Sequence, residues 1–502
     1  MKALPARSGF GETYAAGKPQ VVWTTLVSDL ETPVSAMIKL ADGQSNCFLL
    51  ESVTGGEVRG RYSFIGLKPD LIWRCNRDKV EINRRVRVDA EAFEPSGEPP
   101  LQALRSLLAE SRIDLPEELP PMAAGLFGYL GYDMVRLIER LPDENPDMLG
   151  IPDAILMRPT IIAVFDGIQN QITLVTPVWP TAGMDADSAY DLALERLGDA
   201  ISDLERNLPY RREAANVVRS LPEPVSNTTR EEYHAIVERA KEYIRAGDIF
   251  QVVPSHRLSV PFELPPFSLY RALRRLNPSP FLLYLDFGEG LSIVGSSPEI
   301  LVRLRDGKVT IRPIAGTRKR GANPEEDKAL AADLLSDPKE LSEHLMLLDL
   351  GRNDVGRVAQ IGSVTVTERM VIEYYSHVMH IVSNVEGTID PQHDALDALF
   401  AGFPAGTVSG APKVRAMEII DELEKARRGV YGGCVGYFGA NGAMDTCIAL
   451  RTAVLKDGVM HVQAGGGVVA DSDPEAEYQE TVNKSRALIR AAEEAVRFAS
   501  SR

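Results

Sequence analysis

Short apolar runs broken by Gly, Pro and Asp fill the chain from about residue 20 to 178: VVWTTLVSD, CFLLESV, RYSFIGL, LIWRC, GLFGYLGYDMV, TIIAVFDG and QITLVTPV. Such runs bounded by turn formers predict strands, here with two or three intervening helices. Residues 187–207 instead place apolar side chains at helical spacing and predict an amphipathic helix. Residues 208–228 carry three prolines and no period, and predict a linker.

A second pattern opens at 229 and runs to about 498. Thr229 and Glu232 have the spacing of a capping box, which predicts a helix to about Ala246 with Gly247 as its stop. Strand-like segments follow: FQVVPSHRLSV, FLLYLDFG, LSIVGSS, ILVRLRDG and KVTIRPIAG. Two helices, about 324–335 and 338–350, each begin with Pro, which is favoured at the first helical position. Beyond the strands VTVTERMVIEYY and HVMHIVSNVEGTI come a helix from about Lys413 to Arg427 and three more strand segments. A last helix covers about 474–498. Consecutive strands with few βαβ alternations predict an α+β fold on antiparallel sheets. The organisation is thus a region at 20–178, a linker at 208–228 and a second domain at 229–498.

Composition narrows the function. The 502 residues are 44% hydrophobic and 25% charged, ordinary for a globular protein. Net charge is −16, with no basic face to offset it, which speaks against nucleic acid as a partner. An anionic substrate would need a locally positive pocket or a metal. Cys47, Cys75, Cys434 and Cys447 show no framework spacing and read as reduced thiols. The N-terminus lacks the apolar core of a signal peptide, and no stretch is long and apolar enough to span a membrane. A cytoplasmic protein without membrane contact is the expectation.

Glu340 and Glu343 follow Asp337-Pro338; Glu477 and Glu480 follow Asp473-Pro474. Asp as N-cap and Pro behind it put each pair on one face of a first helical turn. Carboxylates from two helices suit Mg²⁺, which takes one or two from the protein and completes its shell with substrate and water. Taken alone, the spacing is more often that of a solvated face that complements the helix dipole. IRPIAGTRKRG ends a strand in a basic turn, with Gly316, Thr317 and Arg318 as donors or as a solvated loop. Arg451 lies among apolar residues and needs a carboxylate, from substrate or from the protein. The run Gly465, Gly466, Gly467 permits close backbone approach but lacks a nucleotide-binding pattern. GGCVG mimics a nucleophile elbow, yet lies inside a strand-like run, so Cys434 reads as a packed thiol and no glutaminase site is evident. His377 and His380, three apart on a strand, face opposite sides and do not make a metal pair. Glu299, after Ser-Ser-Pro, is a candidate general acid if its neighbourhood is apolar, and a surface-turn residue otherwise.

In this order the segments LLES, GRYSFIG, GDIFQVVPS, GSSPEILVR, PIAGTR, LLDLGRND, AGTVSGAPK, GGCVGYFG and AGGGVVADSDPEAEYQET resemble the chorismate-utilising enzymes, and specifically the synthase subunits of anthranilate synthases, from about Thr25 to Arg486. The resemblance implies a large α/β/β/α sandwich with Mg²⁺ at its cleft. It implies that Glu343 and Glu480 hold the metal, with Glu340 and Glu477 nearby. Arg451, Gly465 to Gly467, Lys484 and Tyr431 would receive chorismate's carboxylates, beside Gly316, Thr317 and Arg318. Glu299 would protonate the leaving ring hydroxyl, ammonia would attack C2, and loss of the C2 proton and pyruvate would give anthranilate. His380 is assigned to that elimination, and Thr407 contacts the pocket. The N-terminal region would be regulatory, binding L-tryptophan through LLES and a Pro-Tyr-Met segment. Ser52 matches, whereas the second motif reads Pro280-Phe281-Leu282 here.

Two positions discriminate among relatives. Isochorismate and salicylate synthases carry a Lys before Val-Val to activate water, where this chain has Gln251; aminodeoxychorismate synthases usually carry a nucleophilic Lys in PIKGT, where it has Ala315. Both favour direct amination. Ammonia from glutamine would then require a separate amidotransferase subunit, in a heterodimer or heterotetramer. An aminodeoxychorismate synthase subunit and a catalytically silent tryptophan-binding protein are the alternatives.

Overall fold

Alternation of sides along the central strands separates the three largest of the buried apolar clusters. In the strand Cys47–Ser52, Cys47 and Leu49 pack with helices, while Phe48 and Leu50 join a cluster contributed mainly by strands. In Phe281–Asp286, Leu282 and Tyr284 face the helices and Leu283 and Leu285 the strands. In Cys434–Gly439 the same period sends Cys434 and Phe438 to a second helical face, and Val435 and Tyr437 to the strand-only core. A period of two buries both faces of a strand only when each has a cover. Helices therefore flank two facing layers of one continuous antiparallel sheet, an α/β/β/α sandwich in a computed structural model. It describes residues 2–52, 60–208, 220–375 and 378–500. Aromatic rings seal the middle: Phe48 stacks on Phe127 at 4.7 Å, and Phe64 meets Tyr437 edge-on at 5.8 Å.

All strand pairings are antiparallel, and residues far apart in sequence share sheets. Cys47–Asp286 and Ser52–Phe281 are register partners, and Leu130 pairs with Cys434. The stretches on either side of residues 208–228 thus complete one another's sheets. Residues 209–219 of that predicted linker, and His377, lie outside the described residues. Val225–Ser226 forms a short strand against Leu258 and Ser259.

Capping chemistry places the helices where the sequence predicts. Thr229 and Glu232 form the reciprocal box, and Gly247 stops that helix in the left-handed conformation, φ 84°. Asn323 caps Pro324–Ser336, and Asp337 caps Pro338–Gly356. The latter runs six residues past its predicted end at 350. Lys413–Leu423 instead stops short of Arg427, because Glu424 turns inward to a buried pair with Arg428 at 2.5 Å. Three helices escaped the sequence reading: Arg7–Ala15, Pro266–Leu276 and Ala395–Gly402. They are short, and their local signals were modest: i, i+4 apolar spacing such as Phe10 and Tyr14 or Leu269 and Leu273, Pro266 at a first turn, and an Asp394–Asp397 capping box. No helix among the described residues is long and apolar enough to cross a membrane.

Candidate active site

Two helix N-termini converge on one cleft. Asp337 accepts from the backbone N–H groups of Lys339 at 3.0 Å and Glu340 at 3.4 Å, and Asp473 accepts from that of Ala476 at 2.9 Å. The helices Pro338–Gly356 and Pro474–Ser500 thus start on the predicted Asp-Pro signals, and Lys339 reaches Asp471 across the gap at 3.7 Å. Burial raises the Glu343 carboxyl above its usual range, with the charges of Glu340 and Glu480 adding to it. Burial raises Glu477 likewise, again with Glu480 contributing, while Ser472 donates to its Oε1 at 2.7 Å. Its Oε2 is buried and without a hydrogen-bond partner among the described residues. Mutual repulsion and an orphaned acceptor are what a cation would relieve. Among the described residues no three His, Cys, Asp or Glu side chains form a cage by themselves. Mg²⁺ does not require one, since substrate and water fill most of its octahedron. The four carboxylates fit such an ion.

The cations of the cleft are already engaged. Arg318 binds Asp333, Asp337 and Glu340 at 2.8, 2.9 and 3.1 Å, and so holds the start of the first carboxylate helix. Lys484 bonds Glu480 at 2.7 Å and the Gly465 carbonyl at 3.0 Å. Arg451 is different: its guanidinium has no hydrogen-bond partner among the described residues, burial lowers its proton affinity, and Glu299 is the nearest acidic influence. It also holds a left-handed backbone, φ 48°, which a non-glycine residue adopts only when its surroundings impose it. Among the described residues, the Arg451 guanidinium is thus a buried cation without a side-chain partner, the kind of group suited to bidentate recognition of a carboxylate.

The three glycines 465–467 follow from packing. A Cβ would meet the Tyr431 hydroxyl at 2.8 Å from Gly465, Glu477 Oε2 at 2.9 Å from Gly466, and Gln251 Nε2 at 2.5 Å from Gly467. The cleft's side chains thus press against bare backbone. Gln251 donates to Glu343 at 3.3 Å, which ties this position to the carboxylate cluster. Tyr431 lies under Gly465, its hydroxyl raised to about 12 by burial, with Arg428 beside its ring.

Opposite, Glu299 is 6% exposed, which removes the surface-turn reading. Burial pushes its carboxyl up to about 8, against hydrogen bonding from Thr407 and Ile314 and the Arg451 charge. Thr407 donates to Glu299 Oε2 at 3.2 Å. A carboxyl that keeps its proton at neutral pH is a competent general acid. His380 is buried, and burial lowers its proton affinity. Its Nδ1 lies 2.9 Å from the Gly316 carbonyl, which can only accept, so Nδ1 carries the proton and Nε2 is the basic nitrogen. Thr317 is its register partner and meets the same Nδ1 at 3.1 Å, because a bulge between Ala315 and Thr317 re-aims the strand. Tyr375, which no motif marks, packs edge-on against His380 at 5.4 Å. Cys434 is a buried strand thiol raised to about 12, inert as a nucleophile.

A second, buried polar cluster joins the N-terminal stretch to the segment 270–282. Ser52 faces Phe281 across the ladder, and Glu51 faces Leu282, so the two predicted inhibitor segments are adjacent. Glu51, only 4% exposed, accepts from Arg274 at 2.6 and 3.0 Å and from the Tyr270 hydroxyl. Sequence reasoning missed this trio; the helix carrying Tyr270 and Arg274 had gone unrecognised.

The pattern of the chorismate binding enzyme family matches residues 46–490. Over 490 residues, 98% of both chains, the sequence is 64% identical to anthranilate synthase component 1 of Cereibacter sphaeroides. It is 51% identical to that of Pseudomonas putida over 93% of both. The crystal structure of anthranilate synthase component I from Streptococcus pneumoniae superposes with a TM-score of 0.75 at 35% identity, covering 93% of this chain and 99% of that one. The menaquinone-specific isochorismate synthase from Escherichia coli shares the fold, with a TM-score of 0.71 at 18% identity. The chain belongs to the chorismate-binding enzymes and, within them, to the anthranilate synthase component 1 group.

Proposed function

We propose that the chain converts chorismate and ammonia to anthranilate and pyruvate, the first committed step of tryptophan biosynthesis, in the cytoplasm and with Mg²⁺. The observation that carries this reading is Glu299: buried, bonded to Thr407, its carboxyl pushed up to about 8 by burial, and beside Arg451, which has no side-chain partner among the described residues. Arg451 would bind a substrate carboxylate and hold the ring against Glu299. The Glu299 proton goes to the ring 4-oxygen as the C4–O bond breaks, ammonia adds at C2, and the double bonds shift. Nε2 of His380 then takes part in the elimination that expels pyruvate and restores aromaticity. Glu343 and Glu480, with Glu340 and Glu477 beside them, would hold Mg²⁺, which supplies positive charge to a substrate carboxylate. Thr317, Gly316, Tyr431, the glycines 465–467 and Lys484 shape the pocket. Buried Ala315 and Gln251, tied to Glu343, offer neither a nucleophilic amine nor a base for water, which supports ammonia as the attacking species.

Glutamine is the proposed source of that ammonia, released by a separate amidotransferase subunit, since Cys434 cannot serve. L-Tryptophan is the proposed inhibitor, at Ser52 and Pro280 to Leu282, with Glu51 close by. The test is a product assay on the purified chain with chorismate, Mg²⁺ and ammonium at alkaline pH. Anthranilate and pyruvate are expected, and both should vanish on chelation. An aminated product that keeps its enolpyruvyl group, with no anthranilate, would overturn the reading.

A further inference from the structure

Behind Glu299, on the side of the helix Pro338–Gly356, the fold keeps a small space of about 30 Å³. Leu347, Leu350 and Gly351 line its apolar wall; Glu299, Thr407 and Asp354 are among its polar residues. By this measure a water needs roughly 10–15 Å³ and two or more polar partners. Asp354 is 4% exposed. Its Oδ2 accepts from Lys413 at 3.0 Å and the neighbouring Asn353 side chain favours its charged form, but its Oδ1 is buried and makes no hydrogen bond of ordinary geometry among the described residues. A buried carboxylate oxygen left bare is strongly unfavourable, so it calls for a donor, and the adjoining space has room for one. Asp354 closes the segment LLDLGRND, which has no part in the reaction so far, and Lys413 closes AGTVSGAPK, the segment that carries Thr407.

We propose that water in this cavity hydrogen-bonds Asp354 to Glu299, and that the buried Asp354–Lys413 pair thereby positions the general acid and sets how firmly it holds its proton. The inference rests on the reading of Glu299 as that acid. Asp354 and Lys413 are positioning residues; neither touches substrate. The charges around them are few. Asp354 faces Lys413 and Arg357, Lys413 also senses Arg357 and Glu139, and Glu299 faces Arg451 and the Tyr375 hydroxyl. Arg357 and Arg451 remain in the variants below, so a shift reports the altered residue.

The test is the infrared carbonyl band of protonated Glu299, identified by its loss in Glu299→Gln, followed with pH alongside the alkaline limb of kcat/KM for chorismate. Asp354→Asn removes a negative charge and leaves Lys413 uncompensated, so both should move about one pH unit lower. Gly351→Ala sets a methyl at the cavity wall at ordinary distance, 3.5 Å from Ile311, and so should fold while displacing water. Loss of a donor to the carboxylate should move the limb higher and shift the band. A band unmoved in Gly351→Ala overturns the water link, and one unmoved in Asp354→Asn overturns the coupling to the pair. If Asp354→Asn fails to fold, Gly351→Ala carries the test. Absence of the band from the wild type at pH 7 would sink the reading of Glu299 itself, a distinct failure.

Discussion

Glu299 in the cleft and Glu51 in the cluster with Tyr270 and Arg274 are about equally buried, 6% and 4% exposed. They are held in opposite ways. Glu51 lies in the fork of Arg274 and under the Tyr270 hydroxyl, so its charge is met on every side. Glu299 has one hydroxyl donor, Thr407, and its surroundings favour the neutral acid. Depth alone therefore does not make a carboxyl reactive. What distinguishes the two is that a cation is bonded directly to Glu51, whereas burial without such a bond leaves Glu299 holding a proton it can give up.

The largest effect should come from Glu299→Gln. Turnover is expected to fall by about 10²–10⁴-fold. Stability should move the other way. Glu299 binds its proton more tightly folded than unfolded, so its contribution is full below pH 4.5 and lost as pH rises toward 8. Gln removes that loss, and the variant should melt above wild type at pH 8.5 and not at pH 4.5. Equal melting temperatures at both pH values would show that Glu299 is not an acid held by burial. His380→Ala should slow elimination by about 10²-fold and amination much less. Single-turnover accumulation of the aminated intermediate checks this; equal slowing of both steps would remove His380 from elimination.

Glu480→Gln should weaken the metal requirement's half-saturation and turnover by about 10–100-fold. A Mg²⁺ titration with the same midpoint as wild type would take Glu480 out of the metal site. Glu51→Gln should instead destabilise the fold, by about 2–3 kcal/mol, since it strands the half-buried Arg274. Chorismate turnover without tryptophan should stay within about a factor of three, a gap below 1 kcal/mol. Loss of turnover comparable to Glu299→Gln would collapse the distinction between the two sites. The smallest effect is expected from Ser52→Ala, a few-fold shift in tryptophan inhibition, equivalent to one hydrogen bond of about 1 kcal/mol; unchanged inhibition would detach Ser52 from that site.

Much of this was legible before any coordinates. The Asp-Pro caps, the carboxylate pairs and the α+β class follow from local rules, because helix caps and strand alternation are written within a few residues. The depth of Glu299 was not, since Ser-Ser-Pro-Glu reads equally well as a surface turn; only the covering by Thr407 and the strand end settles it. Arg318 looked like a donor for substrate, but its three partners come from the helices that follow it. The Glu51–Arg274 pair joins residues more than two hundred positions apart, which no local pattern encodes.

The ladder that joins Leu130 to Cys434 also bears on how the chain is made. Its two strands are about three hundred residues apart. At a synthesis rate of roughly 5–20 residues per second, the first waits on the order of tens of seconds for its neighbour. During that time Gly125–Leu130, buried at every position in the finished protein, has only one of its two edges paired. Newly made chains should thus depend on holding chaperones, and nascent fragments that end before residue 434 should be the ones that aggregate.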